Sequence, residues 1–108
     1  MVGVGIYIYL DKYMLTNKGT EISPDGEYKI VFQQVGSPEW PLGSVSVKVT
    51  VKNNKSNKNI DVIKTSLNND GSSFSKYNWD VVWHDEKVEI TLEGADDAAG
   101  TVYYVDLQ

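Results

Sequence analysis

The chain contains no cysteine and no arginine, and it has a single histidine, His84. Without thiols there can be no disulfide, thiolate zinc site, iron–sulfur cluster or cysteine nucleophile. Compartment stays open, because exported domains also manage without disulfides. One histidine and no cysteine make a His-rich zinc site impossible. All ten basic residues are lysines. Arginine is the side chain that forks onto phosphate and stacks on bases. A chain of net charge −5 that lacks it is a poor fit to nucleic acid or to an anionic membrane surface. No phosphate loop, dinucleotide fingerprint or nucleophile elbow is present, so no cofactor is expected.

What is present is alternation. At 108 residues with 41% hydrophobic composition, the chain suits one folded domain with a single modest core. "SVSVKVTVKN" places Val45, Val47, Val49 and Val51 on one face and Ser46, Lys48, Thr50 and Lys52 on the other. Period two with β-branched residues specifies a strand. In "EISPDGEYKIVFQQV", Pro24-Asp25-Gly26 forms a tight turn, after which Tyr28, Ile30 and Phe32 alternate inward. "NIDVIKTSL" is a weaker strand that pairs back across the polar loop Asn53–Asn59, and "NNDGSS" is a turn.

"NWDVVWHDEKVEITLEG" predicts a hairpin around the loop His84-Asp85-Glu86-Lys87. Trp83 then faces Val88, Val81 faces Ile90 and Trp79 faces Leu92, and all six share one buried face. "TVYYVDL" supplies a last strand with Tyr103, Val105 and Leu107 inward. About six strands without a substantial helix predict an all-β fold. The expectation is an antiparallel two-layer β-sandwich, with an open β-barrel as the alternative.

The opening stretch Val2–Leu15 has two readings. As a strand, Val2, Val4, Ile6, Ile8 and Leu10 alternate with Gly3, Gly5, Tyr7 and Tyr9. As the end of a membrane anchor, the same residues are apolar all round, with tyrosines at the water boundary before Asp11 and Lys12. The run of about ten residues is shorter than the roughly twenty that span a bilayer. It also lacks the features of a signal peptide. "GIYIYLDKYML", a short polar spacer and then "EISPDGEYKI" resemble the layout of small Gram-positive bacterial proteins with one N-terminal membrane helix. In those proteins a "SPDG-x-Y" strand opens an extracytoplasmic β domain of unassigned function. On that resemblance, residues 1–15 are the remnant of an anchor rather than a first strand, 16–26 are spacer and turn, and 27–108 are a single β domain. Frequent Asn, Lys, Ile and Tyr fit an AT-rich bacterial genome.

Residues that could carry chemistry are few. His84 sits beside Asp85 and Glu86 in a turn and reads as solvated. Acidic residues fall in turns, at Asp25, Asp70, Asp85-Glu86 and Asp96-Asp97, without EF-hand spacing or support for a carboxylate pair. No metal site and no catalytic set are therefore expected. "GSPEWPLGS" is the least ordinary segment. There Pro38 and Pro41 stiffen a loop around Trp40, which could anchor a peptide or a sugar ring or plug the end of the core. The functional expectation is a non-catalytic β domain held at the outside of a bacterial membrane, with a protein or envelope component as partner. A cytosolic immunity-type protein that covers a basic toxin site is the alternative.

Overall fold

A computed structural model describes residues 14–36, 44–95 and 100–107. Strands β1 (Leu15–Ile22), β2 (Tyr28–Val35), β3 (Ser44–Asn53) and β4 (Asn59–Asn68) form one antiparallel sheet in chain order. A crossover with a single 3-10 turn, Lys76–Asn78, leads to a second sheet. That sheet contains β5 (Trp79–Trp83), β6 (Lys87–Leu92) and β7 (Thr101–Asp106), again in chain order. The inward faces of both sheets meet in one apolar core. The fold is thus an antiparallel two-sheet sandwich. The sheets remain separate, which sets the open barrel aside.

β3 is central to the larger sheet, and its four inward valines are fully or almost fully buried, each contributing roughly 1.5–3 kcal/mol. They face Ile30 and Phe32 on β2, and Ile63 and Leu67 on β4. The hairpin register matches the sequence pattern pair for pair: Trp79↔Leu92, Val81↔Ile90, Trp83↔Val88. Val88, Ile90 and Leu92 are buried, whereas Trp79, Val81 and Trp83 are only half-buried. β6 is the middle strand of its sheet and β5 an edge strand, so one flank of each β5 side chain stays open.

The segment 16–26, expected to be spacer and turn, contains most of strand β1. Only the residues after Ile22 turn. Alternation failed to mark it because its inward positions are not apolar. Gly19 lies opposite Phe32, and Glu21 opposite Ile30. Both are matched to Trp79. The indole stacks on Phe32 with ring centroids 4.0 Å apart and planes 4° from parallel. Its N–H donates to Glu21 Oε1 at 3.3 Å. A Cβ on Gly19 would stand 2.8 Å from Trp79 Cζ2, inside van der Waals contact. Gly19→Ala should therefore destabilise the protein by about 1–3 kcal/mol, as overpacking does. Trp79→Phe should relieve most of that loss. A urea melt of the single and double variants checks this, and a fully stable Gly19→Ala protein would show that the indole does not press on β1.

Residues 1–13, and with them most of the stretch read as an anchor remnant, lie outside the described residues. Among the described residues no helix is long and apolar enough to cross a membrane.

Candidate functional site

The strands run up and down, so their connections gather at two ends. At one end lie the β1–β2 turn, the β3–β4 turn, the β5–β6 turn and the residue after β7. The first of these is built by Ser23-Pro24-Asp25-Gly26. Ser23 Oγ donates to Asp25 Oδ1 at 2.6 Å and accepts the Tyr28 N–H at 3.0 Å. Asp25 Oδ1 also accepts the Glu27 N–H. Gly26 takes φ +75°, a region that favours glycine. Asn54 ties the turn to its neighbour, its N–H donating to the Glu27 carbonyl and its Nδ2 to the Gly26 carbonyl. The β5–β6 turn is closed by His84 N–H donating to the Lys87 carbonyl, and the Leu107 N–H donates to the Glu86 carbonyl.

A cleft of about 270 Å³ opens between these turns. Tyr28, Trp83 and Leu107 give it apolar surface, and Ser23, Asp25, His84 and Asp85 give it a polar rim. Ser, His and Asp thus line one cleft, but their bonds are those of a scaffold. The Ser23 hydroxyl is committed to Asp25 and to the Tyr28 N–H. The His84 ring, expected to be solvated, meets Glu89 Oε1 at 3.0 Å while remaining partly exposed. A nucleophile needs its hydroxyl on a base, and here it is on a turn carboxylate.

The Ser23 hydroxyl, then the Glu27 N–H, hold the Asp25 carboxyl below its ordinary pKa. A depressed folded-state pKa contributes stability above the unfolded value, about 3.9, and loses it as pH falls through the folded value. Ser23→Ala should move the Asp25 midpoint upward in a carboxyl NMR titration. An unchanged midpoint would mean that the hydroxyl is not its main partner.

The opposite end carries a polar network that sequence reasoning missed. Asn69 and Asn78 exchange amide hydrogen bonds at 2.8 and 3.3 Å. Asn69 Nδ2 also reaches the carbonyls of Ser72 and Ser73, and its Oδ1 accepts the Ala95 N–H. Asn78 Nδ2 donates to the Glu93 carbonyl at 2.9 Å, and its Oδ1 accepts the Ser75 N–H. Both asparagines are buried. This network latches the crossover to the end of β6. Ser72, Ser73, Ser75 and the exposed Tyr77 line a second, wider depression beside it.

Trp40, Pro38 and Pro41 lie outside the described residues, as do Asp96 and Asp97. The flanking Gly36 and Ser44 sit at the end of the strands away from the Trp83 cleft. Trp83 was expected wholly in the core. It packs against the core with one flank and lines the cleft. Among the described residues no three acidic or histidine side chains converge as metal ligands would. No protein-family model matches this chain significantly, and neither does any curated protein or solved structure.

Proposed function

We propose that this protein is a non-catalytic β domain held at the outside of a bacterial membrane, where it binds a protein or an envelope component. The observation that carries the reading is the Trp83 cleft. It offers aromatic surface from Trp83 and Tyr28 beside carboxylates and an imidazole, a combination suited to a sugar ring or a peptide side chain. The turns around it are cross-tied, so little ordering entropy is spent on binding. The apolar stretch Val2–Leu10 supports membrane attachment.

The test is protease shaving of intact Gram-positive cells that express the full chain with a C-terminal epitope. The epitope should sediment with membranes and disappear when protease is added outside. A soluble, protected epitope would sink the reading and favour the cytosolic immunity-type alternative.

A further inference from the structure

The outward face of the larger sheet has an uneven charge. Cross-strand register sets Lys29 directly opposite Lys52, and Lys48 directly opposite Lys64. Like charges so placed repel. No aspartate or glutamate occupies an outward position on β1 to β4. Among the described residues, the Lys55–Glu27 ion pair and the His84–Glu89 contact involve none of these four amines. An acidic protein with ample carboxylates elsewhere thus keeps four lysines together with no salt-bridge partner among the described residues. The other sheet turns Asp80, Glu89 and Asp106 outward, with Lys87 the lone lysine.

The two lysine pairs are about 13 Å apart along β3, four residues at roughly 3.3 Å each. Between them lie Val31, Thr50 and Val62 on adjacent strands. Lys48, Thr50 and Lys52, with Gln33 and Asn59, line a shallow depression of about 250 Å³. We infer that this face is a docking surface for a linear phosphodiester polymer that carries no bases, a polyol-phosphate chain. The inference deepens the envelope-binding reading above and rests on it. Lysine binds phosphate oxygens as a compact point charge and needs no arginine fork to do so; the chain has no arginine. No aromatic side chain stands outward on this sheet. Single-stranded nucleic acids rely on such side chains for stacking. Thr50 is buried at the floor between the pairs, and the part-exposed Val31 and Val62 beside it suit methylene groups between phosphates.

A second copy of the chain is a poorer occupant. The acidic outward face of the smaller sheet has three strands of five or six residues, roughly 300 Å² by strand spacing and rise. A stable interface needs about 800 Å² per partner.

The experiment titrates the full chain with synthetic poly(glycerol phosphate), read by calorimetry. Four neutralised phosphates predict an affinity loss of about 50-fold between 50 and 200 mM salt. Lys48→Gln/Lys52→Gln should weaken binding about tenfold at 50 mM salt, while Lys58→Gln/Lys76→Gln, with the same change of net charge, leaves it nearly intact. The first double variant should also melt at or above the wild-type temperature, since repelling pairs are removed. That excludes misfolding as the cause of lost binding. Equal losses in both double variants, tighter binding of oligo(dT) of matched charge, or self-association without polymer binding would each overturn the inference. Failure here with an externally accessible epitope leaves the envelope reading standing; polymer binding by a protein found protected in the cytosol removes that reading instead.

Discussion

Trp79→Ala should lower the unfolding free energy by about 3 kcal/mol, the low end of the range for large aromatic truncations because the indole is half-buried. For a domain of this size that corresponds to a fall in Tm of roughly 15 °C. The indole closes the sandwich at its β1 side. It stacks on Phe32, meets the Phe74 ring at 5.0 Å and 55°, and lies over Gly19. Its removal opens a void that backbone at β1 cannot fill, and leaves Glu21 without its indole donor. Trp79→Phe keeps a ring against Phe32 but gives up the long N–H bond to Glu21 and the indole edge over Gly19, so it should cost about 1–2 kcal/mol. Trp83→Ala should cost about half as much as Trp79→Ala, because one flank of Trp83 already faces the cleft. Chemical denaturation of the three variants ranks them. If Trp83→Ala proved the most damaging, the core would be centred at the wrong end of the hairpin.

The second large effect is expected at the asparagine latch. Asn69→Ala strands the Ala95 N–H, the carbonyls of Ser72 and Ser73, and part of the Asn78 amide. Leaving buried polar groups unpaired costs about 1–3 kcal/mol for each one that water cannot reach. Some of these groups lie beside the open depression, so a total near 3 kcal/mol is expected. Asn78→Ala should cost a similar amount. The double variant should cost clearly less than the sum, since much of each loss is the other partner left unsatisfied. Additive losses in thermal melts would mean that the two amides act independently. Asn69→Asp supplies a sharper check. A buried carboxylate cannot donate to the Ser72 and Ser73 carbonyls, so this variant should be less stable than Asn69→Ala at neutral pH. It should recover toward acid pH, where a protonated carboxyl can donate one bond.

Why the latch escaped sequence reading is physical. Asn69 and Asn78 stand in a polar stretch that reads as turn and loop, and the turn is real: Asp70 and Gly71 take positive φ, and Ser72 N–H donates to the Asn69 carbonyl. Nothing local reveals that the amide side chains are folded inward to satisfy backbone groups from residues 72 to 95. Phe74 escaped for the same reason. It is a single apolar residue amid serines, yet it is fully buried, and its N–H donates to Gln34 Oε1 at 2.8 Å. Gln34 in turn donates to the Gly36 carbonyl. An inward polar position at the end of an otherwise apolar alternation, Tyr28, Ile30, Phe32, Gln34, was the one available signal.

The sequence by itself determined the strands whose two faces differ. Val45 to Val51, Tyr28 to Phe32 and the Trp79–Leu92 hairpin alternate so strictly that a one-residue slip would turn every apolar side chain to water. Register followed from pattern there, and with it the all-β class and the antiparallel pairing. The tertiary structure alone decided what depends on a partner distant in the chain. Strand β1 has glycine and glutamate at its inward positions, and they make sense only when Trp79, about sixty residues later, lies against them. The Trp83 cleft exists because turns from both sheets reach the same end of the sandwich. The paired lysines read as ordinary solvent-facing positions along each strand. They become a concentrated positive face only when three strands align in register, because repulsion and ligand binding depend on distance in space, which alternation along one strand does not encode.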